Sequence, residues 1–235
     1  MQLNKFLART GLCSRRKAAQ LIEMGIISVN RAVIVHPGHR VGSEDLVMIN
    51  GKPCVPVQQP VYVLLNKPKG YVTTTADEHE RGTVLDLCTA AAPNTRLFPV
   101  GRLDRKTHGV LLLTNDGALA QRLAHPRYKM QKQYRVRLNA PLSEEFELSM
   151  LQGIRLVDGM IRVDRVVPQS RDRTVIDIWL HSGRNRIIRR LLYAGGYEVT
   201  DLARVSYAGL TVRDIPIGRW RYLKSYEIDR LKRER

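Results

Sequence analysis

"GRLDRKTHGVLLLTNDG", residues 101–117, sets one carboxylate, Asp104, among Arg102, Arg105 and Lys106. An unbroken apolar run, Val110–Leu113, follows and ends in the turn-forming Asn115-Asp116-Gly117. Such a run reads as a buried strand, and the polar triplet as the turn that closes it. Asp104 therefore belongs to the connection entering that strand, at a sheet edge where a cleft can form. A lone acid among arginines also describes a structural ion pair or a turn residue. The rest of the chain has to separate these readings.

Outward from that segment, the pattern predicts strands at 61–66, 97–102, 109–114, 133–138, 154–157, 161–166 and 174–180, and helices at 117–124, 144–152, 185–194 and 226–232. Gly153 and Gly195-Gly196 make good helix ends. Strands and helices do not alternate regularly, so a mixed, mainly antiparallel sheet with flanking helices is expected, not a doubly wound parallel one. Upstream, "GKPCVPVQQPV" carries Pro53, Pro56 and Pro60, which favour an extended, semi-stiff connection over 51–60. The expected organisation is α+β: a small domain over 1–50, the proline-rich linker, and a larger domain over 61–235.

The small domain opens helically. Leu3, Phe6 and Leu7 share one face, Gly11 interrupts, and Ser14 can cap a second helix beginning Arg15-Arg16-Lys17. Ala18, Leu21 and Ile22 repeat the apolar spacing before Gly25 stops it. Short β-like pieces follow in "IISVN", "AVIV" and "LVMIN". Residues 1–60 hold eight Lys/Arg against three Asp/Glu, much of the positive charge grouped in "SRRK". Arginines at a helix start suit holding phosphates better than reading bases.

Composition narrows the function. The 235 residues are 43% hydrophobic, which reads as globular, yet the formal charge is +17. Nucleic acid is the expected partner of so basic a chain. An anionic membrane is disfavoured, since there is no long apolar span or lone basic amphipathic helix. The first residues, "MQLNKFLART", contain polar breaks and lack the long apolar core of a signal peptide, and Cys13, Cys54 and Cys88 read as reduced, packed thiols of a cytoplasmic protein. Phosphate-cradling loops, dinucleotide glycine fingerprints, serine elbows and zinc-deaminase motifs do not occur. "DEHE" at 77–80 lacks a second histidine and reads as surface, so no metal is expected.

Two further segments bear on Asp104. In "HSGRNRIIRRLLYAGGYEV", 181–199, four arginines fall within 184–190. On a helix, Ile187, Ile188, Leu191 and Leu192 form one apolar arc, and Arg189 lies about 60° beyond Leu192 at its border. Arg189 is thus the arginine best placed to be half-buried and to meet a carboxylate, while Arg186 and Arg190 point outward toward phosphates. In "QKQYRVRL", strand alternation turns Tyr134, Val136 and Leu138 one way and Arg135 and Arg137 the other. Tyr134 is then either core or a platform for an unstacked base.

The first fifty residues resemble the alpha-L RNA-binding module found in a small-subunit ribosomal protein and several rRNA-modifying enzymes. "GRLDRKTHGVLLLTNDG", with "NKPKGYVTT", "KQYRV" and "GRNRIIRRL" in the same order, resembles the bacterial rRNA pseudouridine synthases of the RsuA class. That resemblance implies Asp104 as the catalytic acid residue, Tyr134 as the base-stacking aromatic and Arg189 as the partner of Asp104. Arg15, Arg16, Lys17, Arg102, Arg184, Arg186 and Arg190 are the expected RNA contacts. Many relatives carry glutamine where this chain has Ile187, a departure that tilts the expected target toward large-subunit rRNA or its assembling particle. The implied reaction breaks the N1–C1′ bond of a flipped uridine and joins C5 to C1′, with no redox or nucleotide cofactor. Whether the carboxylate attacks C1′ or takes a proton from C2′ stays open. The rival reading is a non-catalytic RNA-binding assembly factor, and a weaker one is an RNA glycosidase or nuclease. A monomer is expected.

Overall fold

The computed structural model describes residues 1–56, 59–75, 77, 79–93 and 95–233. Val57 and Gln58 of the expected linker and Glu78 of the acidic cluster lie outside them, while the helix expected at 226–232 lies within. The chain divides into two compact units, Met1–Val61 with Ala92–Leu97, and Tyr62–Ala91 with Phe98–Arg235.

In the first unit, α1 (Leu3–Arg9) and α2 (Arg15–Glu23) precede β1 (Ile27–Val29), β2 (Ala32–Val33), β3 (Val47–Ile49) and β4 (Lys52–Pro53). The strands form one sheet in the order β2-β1-β3-β4. Leu3, Phe6, Leu7, Ala18 and Ile22 are buried against Ile27 and Val47, so the helical spacing produces the core it implies. The Ser14 side chain accepts the Lys17 backbone N–H at 3.1 Å, satisfying a first-turn donor that the helix itself cannot.

The second unit contains β5 (Tyr62–Lys67), β6 (Phe98–Pro99), β7 (His108–Thr114), α3 (Gly117–Ala124), β8 (Lys132–Leu138), α4 (Glu144–Gln152), β9 (Ile154–Leu156), β10 (Gly159–Ile161), β11 (Arg165–Pro168), β12 (Val175–Leu180), α5 (Ile187–Ala194), β13 (Val199–Tyr207), β14 (Leu210–Thr211), β15 (Trp220–Tyr222) and α6 (Ser225–Arg233). Its main sheet runs β11-β12-β8-β13-β7-β5-β15. Only β13 with β7 pairs in parallel along that order, so the sheet is mixed and mainly antiparallel. The expected strand 161–166 is instead two strands, β10 and β11, and 97–102 contracts to β6. The nine-residue β13, at the middle of the sheet, carries Asp201 and Arg204 in place of regular apolar alternation and is absent from the sequence expectation.

Leu64 of β5 and Val110 and Leu112 of β7 pack with Leu119 and Leu123 of α3 and Leu231 of α6. Helix α5 lies against β13 and β9. Gly109 adopts φ +103°, and a Cβ there would stand 2.2 Å from the Arg204 carbonyl oxygen. Only glycine lets β7 come that close to β13, just after the Asp104 loop.

Candidate active site

The loop carrying Asp104 is held by "NKPKGYVTT". Lys67, fully buried at the end of β5, donates from Nζ to the carbonyls of Pro68 (3.0 Å), Asp104 (3.3 Å) and Thr107 (2.9 Å). The Gly70 backbone N–H donates to the Arg105 carbonyl at 2.9 Å, and Arg105 Nε returns a bond to the Gly70 carbonyl at 3.0 Å. Thr73 Oγ1 donates to the Leu103 carbonyl at 2.8 Å. Three residues of one segment thus grip the backbone on both sides of Asp104, leaving its carboxylate as the free end. Burial pushes the Lys67 ammonium down to about 8, with the Asp104 carboxylate opposing and Arg204 adding to the fall.

Asp104 opens into a cleft of about 1180 Å³ lined also by Lys132, Tyr134, Arg186, Ile188 and Arg204. Tyr134 is 9% exposed on β8 and its alternation is as the sequence implies, with Val136 and Leu138 buried and Arg135 and Arg137 turned out. Tyr134 is the register partner of Arg204 on β13, so the two occupy neighbouring places on one face of the sheet. The Arg204 guanidinium donates from Nε to the Val110 carbonyl at 2.8 Å and lies 4.7 Å from the Tyr207 ring centroid.

The arginine expectations need correction. The ion pair to Asp104 comes from Arg186, with Nη1 3.8 Å from Oδ2, and not from Arg189. Helix α5 begins at Ile187, two residues later than expected, and Arg186 precedes it in the left-handed region at φ 47°, which swings its side chain into the cleft. Ile187, Ile188, Leu191 and Leu192 are buried as the arc implies, and Arg189 is half-buried beside them. Its Nη1 donates to the Val199 carbonyl at 2.9 Å. Burial and the Arg186 charge weaken its hold on its proton, while the Asp104 and Asp201 carboxylates strengthen it. Arg189 is thus an electrostatic neighbour of Asp104 without touching it. Arg190 is turned to Asp158 at 2.8 Å, with Arg184 at 3.8 Å from the same carboxylate, so both have a protein partner.

Sequence reasoning also missed Asp201, whose carboxylate meets Lys69 at 2.5 Å and His108 at 3.2 Å. Burial raises its affinity for protons, but the Lys69 and His108 hydrogen bonds prevail and hold it below the ordinary carboxylate value. No spacing pointed to this group, because its strand was itself unrecognised. In the first unit, Arg15, Arg16 and Lys17 are exposed and form no ion pair among the described residues. Arg102 is likewise exposed at the cleft. Cys13, Cys54 and Cys88 are free thiols, the last two buried, as the sequence led us to expect.

A carboxylate on a clamped loop in a basic cleft, with an aromatic ring lining the same space, suits work on a nucleoside sugar. Comparison with known proteins agrees. The RNA pseudouridylate synthase family matches residues 61–194 and the S4 domain matches residues 1–47. The chain belongs to the RNA pseudouridylate synthase family. This synthase is 38% identical to an uncharacterized RNA pseudouridine synthase of Aquifex aeolicus, over 98% of its own length and 93% of the relative's. It is 37% identical to the ribosomal large subunit pseudouridine synthase B of Bacillus subtilis, over 98% and 95%. To the dual-specificity RNA pseudouridine synthase RluF of Salmonella typhi it is 35% identical, over 97% and 77%. A crystal structure of a pseudouridylate synthase superposes with a TM-score of 0.69 at 25% identity, covering 98% of this chain and 99% of that one. The synthase is therefore an isomerase acting on uridine in RNA.

Proposed function

We propose that this synthase converts uridine to pseudouridine in ribosomal RNA, with the large subunit as its target, and that Asp104 is the reacting carboxylate. The observation that carries the reading is the shared cleft: Asp104 on a backbone clamped by Lys67, Gly70 and Thr73, with Tyr134 lining the same space. The resemblance to the Bacillus subtilis large-subunit synthase over the whole chain supports the target. Extruding a uridine from its stack costs a few kcal/mol, and stacking on Tyr134 would return about 1–3 kcal/mol of it. The ionised Asp104 then attacks C1′ or removes the C2′ proton, releasing the uracil to turn and rejoin through C5. Arg186, by its ion pair, and Arg189, through space, set positive charge beside that carboxylate.

Arg15, Arg16 and Lys17, with Arg102 and Arg186, hold phosphates, and Arg184 and Arg190 join them where RNA competes with Asp158. The protein works as a cytoplasmic monomer. A pure assembly factor, the rival reading, has no use for a clamped acid facing RNA. Incubation with rRNA tritiated at uridine C5 tests the proposal, because isomerisation releases that hydrogen. Release by the wild type and none by Asp104→Asn is expected, with the modified position mapped to large-subunit rRNA. Full release by Asp104→Asn, or modification confined to small-subunit rRNA, would overturn the corresponding part.

A further inference from the structure

Isomerisation requires one step for which none of the groups above accounts. Once C5 has bonded to C1′, that carbon is tetrahedral and still carries its hydrogen, which must leave. The following inference rests on the reading that the cleft receives the uridine.

Lys132 starts β8 two residues before Tyr134, so both side chains belong to the same face of the strand, and both line the cleft. Its Nζ donates to the Met130 carbonyl at 2.8 Å and to the His181 carbonyl at 3.1 Å. Among the described residues no carboxylate pairs with it. The charged and titratable groups around it are few. From β13, Arg204 repels the ammonium, and the Tyr207 ring, 5.7 Å from Nζ, attracts it. The Tyr207 hydroxyl is itself committed to the Leu123 carbonyl at 2.8 Å. Beyond β12, the His181 imidazole is paired with Asp164 at 2.9 Å. Burial first, and Arg204 second, push Lys132 down to about 8.

The contrast with Lys67 is instructive. Lys67 meets three carbonyls, matching the three donors of an ammonium, and takes no part in lining the cleft. Lys132 meets two, which matches the two N–H groups of a neutral amine and leaves its lone pair in the remaining tetrahedral direction. One lysine is built as a tie and the other as a base.

We propose that Lys132 is the base that removes the C5 proton of the rearranged uracil. The Lys132 nitrogen lone pair forms an N–H bond as C5–H breaks. The C–H electron pair becomes the C5=C6 double bond, and the electrons of C6=N1 move to N1. N1 takes a proton from solvent, and the Lys132 ammonium returns one to solvent. No proton is gained or lost overall, and no oxidant or second reactant is needed.

The full-length protein is assayed on rRNA transcripts of both subunits carrying hydrogen, tritium or deuterium at uridine C5, and on transcripts with 5-fluorouridine, which has no C5 proton to lose. Lys132→Met is expected to slow tritium release about 10²–10⁴-fold, the usual contribution of a general base. It should also show a C5 deuterium isotope effect that the wild type lacks, yet form the covalent C5–C1′ product with 5-fluorouridine RNA at the wild-type rate. Lys132→Arg, which keeps the charge but cannot deprotonate, should share the defect, and small primary amines should partly restore Lys132→Gly. The amine is the active form, so wild-type kcat under single-turnover conditions should rise as pH passes through about 8, and Lys132→Met should lose that rise. A Lys132→Met protein that releases tritium normally, or is slowed equally on 5-fluorouridine RNA, overturns the proposal while leaving the Asp104 reading standing. A wild type that releases no tritium from either rRNA overturns both.

Discussion

The two units handle positive charge in opposite ways. In the first, Arg15, Arg16 and Lys17 stand exposed at the start of α2, with no acidic partner among the described residues. In the second, Lys67 and Arg204 are buried and spent on backbone carbonyls, while Arg186 is held 3.8 Å from Asp104. Exposed cations attract a polyanion at long range, yield to salt and fix little. Buried ones cannot wander, so they define where a carboxylate and a backbone loop must sit. A basic sequence therefore contains two kinds of cation, for capture and for construction, and composition alone does not distinguish them.

The comparison breaks most visibly at Asp104. Asp104→Asn should lower single-turnover tritium release by at least about 10⁴-fold, the scale seen when a reacting group is removed. Its thermal unfolding should move little, since a half-exposed pair is worth no more than about 1 kcal/mol. A smaller rate loss would place the reacting group elsewhere.

Lys67→Met tests construction directly. It strands three carbonyls, that of Thr107 fully buried and those of Pro68 and Asp104 partly so, and denaturant unfolding should show a loss of about 3 kcal/mol. The surviving folded protein should be slow, because the Asp104 loop has lost its tie. A variant with wild-type stability would show that Gly70 and Thr73 suffice. Tyr134→Ala should lower kcat/KM by about 1–3 kcal/mol, or roughly 5- to 150-fold, through lost stacking. RNA already carrying an abasic site at the target should bind both proteins alike, and unequal binding would mark Tyr134 as merely structural.

Capture gives the mildest effect. Neutralising Arg15, Arg16 and Lys17 together should leave kcat intact and reduce the log–log salt slope of rRNA binding by up to about 2, at roughly 0.7 per charge on single strands. An unchanged slope would remove that cluster from the RNA interface.

Much of this was legible in the chain itself. The apolar runs read at 61–66 and 109–114, the Ser14 cap and the arc of α5 follow from period and capping alone. So did the alternation that turns Tyr134 inward, and Asp104 at a cleft-edge loop. What escaped was what depends on long-range partners. Strand β13 was hidden because Arg204 occupies a buried position and draws on the Val110 carbonyl, 94 residues earlier in the chain. The exchange of Arg186 for Arg189 at Asp104 turned on a single left-handed residue before α5, a backbone choice that helical periodicity does not encode. Lys67 carried no signal of its own, because two of the carbonyls it holds, those of Asp104 and Thr107, lie 37 and 40 residues further along the chain.

The central strand carries a consequence for synthesis. β13, at 199–207, is inserted between β7 and β8, which leave the ribosome some 60 to 90 residues sooner. Until it arrives, the Gly109 edge and the inner edge of β8 have no neighbour and the Asp104 cleft has no rear wall. A chain still being translated thus has no complete cleft until β13 has emerged. Its order of assembly acts as a timer on its reactivity.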